Sequence, residues 1–129
     1  MWIGWPISRA ILLFISVVFA AIFIQVTMFH YRQNFQHWAQ WVPVLALPVL
    51  SVVSLAAVFY ISPIIVIIAG ILYFVGLEAG ITGFALHTSG VSERVGGYNL
   101  NNFMVGPPVV LPIMVTAISV LGLIALYWR

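Results

Sequence analysis

The chain has 129 residues, of which 64% are hydrophobic and only 5% charged, with a formal net charge of +2 and no cysteine. So few charges cannot solvate a globular surface, which places the chain in lipid, and four cations, all of them arginine, give no basic patch for nucleic acid. The missing thiols exclude disulfides, thiolate metal sites, iron–sulfur clusters and cysteine nucleophiles, leaving histidine, glutamate and backbone as the available chemistry.

The opening MWIGWP sets Trp2 and Trp5 ahead of the first apolar run, where indole rings favour the headgroup level. Val18-Phe19-Ala20 loosely resembles a signal cleavage site, but the apolar run continues about nine residues past it, longer than a signal core, so a retained span is expected. The first helix is expected over about residues 7–29, with Gln25 and Thr27 free to bond a neighbouring helix. The segment HYRQNFQHWAQW, residues 30–41, is the most polar in the chain, and its Tyr31, Trp38 and Trp41 predict a stretch lying flat at the membrane surface.

A second helix is expected over about residues 42–60, with Pro43 in its first turn and Pro48 deep enough to kink it. Ile61-Ser62-Pro63 leaves room only for a tight antiparallel hairpin into a third helix over about residues 63–87. Within that helix Gly76, Gly80 and Gly83 form one smooth stripe on which another helix can pack closely. Residues 88–106, TSGVSERVGGYNLNNFMVG, read as a long non-helical loop and as the main functional surface. Pro107-Pro108 then opens a fourth helix, to about residue 128, closed by Tyr127, Trp128 and Arg129 at the interface. The sum is an all-α, single-domain, four-helix transmembrane bundle with both termini on one side. Arg9 and Arg129 against Arg32 and Arg94 tie the positive-inside count, and Arg9 beside the first span tips the termini toward the cytoplasm.

Two constellations could carry chemistry. His30, His37 and His87 all fall at the loop end of the bundle, and His30 and His87 end two parallel helices. Histidines so placed could ligate haem iron or another metal, with His37 as a further metal ligand and Gly83 making room for a macrocycle. They could equally bond water, headgroups or helix C-terminal carbonyls. No zinc-site spacing is present, so no cofactor is required by the sequence. The second constellation is Glu78, a carboxyl inside an apolar span, expected to face a protein interior, a cavity or a partner. It lies about 13 Å along the axis from His87 and on nearly the opposite face, so the two cannot share one metal. Glu78 reads either as a proton or ion relay with Gln25 and Thr82 beside it, or as a protonated group gluing helices together. Enzymatic activity has little support: Ser89 and Ser92 lie near His87, but neither G-x-S-x-G nor H-E-x-x-H occurs.

The run GGYNLNNFMVGPPVVLP, with HYRQNFQHWAQWVPV after the first helix, resembles segments of small uncharacterised bacterial multi-span proteins. That resemblance implies a bacterial inner-membrane setting and carries over no activity and no site residue. The function expected is that of a small non-catalytic accessory or assembly subunit, in contact with other membrane subunits or with copies of itself. Its rivals are electron transfer through His30 and His87, and an oligomeric channel or transporter lined by Glu78.

Overall fold

Proline and serine decide where the helices begin. Pro6 precedes the first, and Pro63 opens the third at the position where a missing N–H costs nothing, with the Ser62 hydroxyl accepting from the Ile65 N–H at 3.3 Å. A computed structural model describes all 129 residues. The elements are α1 (Ile7–Arg32), a 3-10 turn (Trp38–Gln40), α2 (Trp41–Phe59), α3 (Pro63–Val95), α4 (Leu100–Val105) and α5 (Val110–Tyr127). The first, second, third and fifth helices, the second taken with the turn before it, are long and apolar enough to cross a membrane.

The four spans close a ring, α1 on α2, α2 on α3, α3 on α5 and α5 on α1, so α1 and α3 occupy opposite corners. They meet across the centre through large side chains: Phe19 and Tyr73 are fully buried and stack with ring centroids 6.3 Å apart. Gly122 on α5 makes this possible, because a Cβ there would stand 2.8 Å from the Tyr73 ring.

In lipid the hydrophobic effect does not hold helices together, so close packing and interhelical hydrogen bonds must. The glycine stripe supplies the packing from within the chain, since α5 fills it: Gly76 faces Ser119, Gly80 lies against the Pro112 carbonyl and Thr116, and Gly83 meets the Pro112 ring. The hydrogen bonds come from hydroxyls. Ser16 and Ser51 tie α1 to α2 reciprocally, each Oγ donating to the other's carbonyl at 2.9 and 2.8 Å. Thr116 Oγ1 donates to the Leu77 carbonyl at 2.9 Å. Ser54 Oγ donates to the Leu50 carbonyl at 2.6 Å, which uses its one proton, so the Tyr73 hydroxyl donates to Ser54 across the second 2.6 Å contact.

At the end holding the termini, the N-terminal arm folds over the bundle and satisfies the last carbonyls of α2. Trp2 Nε1 donates to Ala57 at 2.7 Å and Arg9 Nε to Val58 at 2.9 Å, while the Arg9 guanidinium also lies 4.1 Å from the centre of the Trp5 ring.

Four boundaries differ from the sequence reading. α1 continues to Arg32 and closes on a left-handed pair, Asn34 (φ 56°) and Phe35 (φ 48°), with the Phe35 N–H reaching back to the His30 carbonyl at 3.1 Å. Between the helices the 30–41 segment closes on itself, with Phe35 stacked 4.1 Å from Trp41. α2, by contrast, keeps the expected span, with Pro48 inside it. The largest difference is at 88–106: α3 stays helical to Val95, ending at Gly96 in the left-handed conformation, and α4 takes up Leu100–Val105. Polar residues there do not signal a loop because Val91 is fully buried and Gly90 and Gly106 let Pro107 and Val91 close together, anchoring an α3 about 50 Å long. α5 starts at Val110, after both prolines of the 107–108 pair.

Candidate functional site

The histidines are sorted by what their ring nitrogens touch. His30 is on the last turns of α1, and its Nδ1 lies 2.8 Å from the Gln40 carbonyl at the start of α2. His87 on α3 places Nδ1 2.6 Å from the Pro108 carbonyl, just before α5. A carbonyl only accepts, so in both rings Nδ1 carries the proton and donates. At Pro108 the reason is local: the residue four positions on is Pro112, which has no N–H for that carbonyl, and His87 supplies one instead. The neutral rings are thereby fixed with the lone pair on Nε2, and their centroids stand 6.4 Å apart at an interplanar angle of 67°.

A polar frame surrounds the pair. Gln40 Nε2 donates to Gln33 Oε1 at 2.7 Å and Arg94 Nη1 donates to the same oxygen at 3.0 Å, linking the ends of α1, α2 and α3 at one end of the bundle. Thr27, one turn before His30, and Thr88, next to His87, each bury a hydroxyl with no hydrogen-bond partner. His37 stays outside this group: it is exposed, and its Nδ1 accepts from the Ala39 N–H at 3.2 Å, capping the 3-10 turn. No cluster of three or more His, Cys, Asp or Glu side chains could hold a metal. Gly83 does not open space for a macrocycle, since Pro112 packs on it.

Glu78 takes the other course. It is exposed, pointing out of the bundle from a face of α3 that also presents Ile71, Val75, Ile81 and Thr82. Gln25 is exposed on α1, at the opposite corner of the ring, so the expected grouping of Gln25 with Glu78 does not form; Thr82 does share the Glu78 face. Beside them an apolar groove of about 280 Å³ runs between α2 and α3, lined by Leu45, Val49, Leu72 and Val75 among others, and Val75 is one turn from Glu78.

Gln33, Gln40, Arg94 and the Pro108 carbonyl are neighbours of the histidine pair that the sequence reading missed. Only the last had a legible signal, the Pro108-to-Pro112 spacing that frees a carbonyl. The fold and site define an integral membrane protein of four spans with a histidine pair at one end and a carboxyl on its outer face. No protein-family model, no curated protein and no solved structure matches the chain.

Proposed function

We propose that the chain is a non-catalytic subunit of a larger membrane assembly, docked through the outer face of α3. Glu78 carries this reading. It stands about 22 Å along α3 from Pro63, inside the apolar span. A carboxyl at that depth costs about 2.5–3.5 kcal/mol on insertion scales when it faces lipid. The four arginines sit at the two ends of the bundle, Arg9 and Arg129 at one and Arg32 and Arg94 at the other, so none compensates it. A partner helix with a cation or an amide donor at the same depth would, and Thr82 offers it a second hydrogen bond. The apolar groove between α2 and α3 extends the same surface. The bacterial resemblance favours the cytoplasmic membrane, and Arg9 beside the first span favours termini on the cytoplasmic side.

A photo-crosslinker placed at Thr82 of the full-length chain tests this. One discrete heterologous adduct is expected, lost in Glu78→Leu, retained in part in Glu78→Gln, and absent when the crosslinker sits at Gln25. An adduct indifferent to Glu78→Leu, or a chain that migrates as a monomer from mild detergent, would refute the reading. A homodimer adduct would replace the heterologous partner by a second copy.

A further inference from the structure

We propose that the end of the bundle holding the termini binds the phosphate of an anionic phospholipid, between Ser8 in the first turn of α1 and Arg129 just past α5. The site lies apart from the docking face on α3 and does not depend on it. Three observations carry it. The first is a cavity of about 540 Å³, open to the outside and walled mostly by apolar groups, with Trp2, Pro6, Ser8, Leu126 and Arg129 among its lining residues. Trp5, Tyr127 and Trp128 stand exposed at the same end of the bundle, and such rings favour the headgroup level. The cavity is therefore at the depth of lipid phosphates.

The second is a pair of donors without an acceptor. Ser8 is only 6% exposed and lines the cavity, yet its hydroxyl makes no hydrogen bond within the chain. Its N–H is free as well, since it belongs to the first turn of α1, where the only backbone bonds run from Arg9 and Ala10 to the Pro6 carbonyl and no side chain caps the helix. That turn holds no acidic residue, so the positive end of a 26-residue helix is left uncompensated. A buried O–H and N–H on one residue call for a shared acceptor, and the oxygens of a phosphate at a helix N-terminus are one.

The third is charge. Arg129 donates Nε to the Leu126 carbonyl at 2.8 Å, and its guanidinium carbon lies 5.7 Å from the centre of the Trp2 ring, itself held by the Ala57 carbonyl. That grip leaves both terminal nitrogens of Arg129 free for a two-pronged bond to phosphate. Arg9 has less to offer directly, because it already gives Nε and Nη1 to the Val58 and Gly4 carbonyls, but its charge adds to the attraction. Neither glutamate is at this end: Glu78 lies within the α3 span and Glu93 near its far terminus. A headgroup of net negative charge is thereby preferred to a zwitterionic one, whose ammonium would meet two guanidiniums.

Native mass spectrometry of the full-length chain in detergent tests the assignment, with phosphatidylglycerol, phosphatidylcholine or inorganic phosphate as the added probe. One phosphatidylglycerol per chain should be retained, at least about fivefold more tightly than phosphatidylcholine. Arg129→Gln should weaken that retention at least about fivefold, with Arg129→Lys in between because it keeps the charge and loses the fork. Ser8→Ala should weaken it about threefold, since the N–H remains. Arg94→Gln, at the other end of the bundle, should leave it unchanged; circular dichroism verifies that each variant is folded. The proposal is overturned if phosphatidylglycerol is retained no better than phosphatidylcholine, or if Arg129→Gln and Ser8→Ala bind it like the wild type. Displacement of the lipid by inorganic phosphate at equal concentration would also overturn it, because the site would then be one for the free anion.

Discussion

Replacing Gly80 by alanine should loosen the α3–α5 interface, and the size of the effect can be worked from the packing. A Cβ at Gly80 would stand 2.6 Å from the Pro112 carbonyl oxygen and 2.8 Å from the Thr116 nitrogen, about 0.8 and 0.6 Å inside ordinary contact. Both atoms are backbone, so relief requires moving a helix. A radial gap of 0.5–1 Å forfeits about a quarter to a half of each dispersion contact it opens, and overpacking of this kind costs about 1–3 kcal/mol. The Thr116 hydroxyl must also give way, which strains its 2.9 Å bond to the Leu77 carbonyl, worth about 0.6 kcal/mol in a membrane interior. Alanine recovers about 0.5–1 kcal/mol of backbone entropy in a helix. The net loss for Gly80→Ala is therefore about 1–3 kcal/mol. At Gly83 the nearest atom is the Pro112 Cβ at 3.2 Å, so Gly83→Ala should stay within about 0.5 kcal/mol of the wild type. Unfolding in dodecyl maltoside with rising dodecyl sulfate, followed by helical circular dichroism, measures both. A Gly80→Ala variant as stable as the wild type, or a Gly83→Ala variant that is the worse of the two, would refute the reasoning.

Three further outcomes follow from the hydrogen bonds and the topology. In the same assay Ser54→Ala should cost more than Tyr73→Phe, about 1–3 against about 1 kcal/mol, because the first leaves the buried tyrosine hydroxyl without an acceptor while the second leaves Ser54 bonded to Leu50. The double variant should lose less than the two singles added. His87→Leu should fray the start of α5, seen as faster amide exchange at Val110–Leu111, and His87→Asn should restore protection, since only the Asn variant can donate to Pro108. Because the chain has no native cysteine, single cysteines at Asn34 and Gly97 can be labelled from one face of the membrane and a cysteine at Gly4 from the other; labelling of Asn34 and Gly97 from opposite faces would break the four-span arrangement.

The four spans were legible because length and unbroken apolarity decide them, and the Ile61-Ser62-Pro63 hairpin because proline and a capping serine act locally. The meeting of His30 and His87 was half legible: helix lengths place both at one end, but only the ring of contacts in space brings them within 6.4 Å. The helical 88–95 segment was hidden because Ser89, Ser92, Glu93 and Arg94 are polar in composition while one face, at Gly90 and Val91, is buried. Helix capacity there comes from packing against Pro107 and Gly106, residues distant in sequence.

The polar groups show the same division between what composition reveals and what geometry assigns. The most conspicuous intramembrane side chains, Gln25, Glu78 and Thr82, look like the glue of the bundle, yet all three are exposed. The binding is done by small hydroxyls that hydropathy barely registers: Ser16 with Ser51, Ser54 with Tyr73, and Thr116 with Leu77. Small hydroxyls bond between helices without holding them apart, whereas a glutamate in that interior would displace apolar contacts and bury a carboxyl. The bundle is thus held together without Glu78, whose exposed carboxyl takes no part in the hydrogen bonds that join the helices.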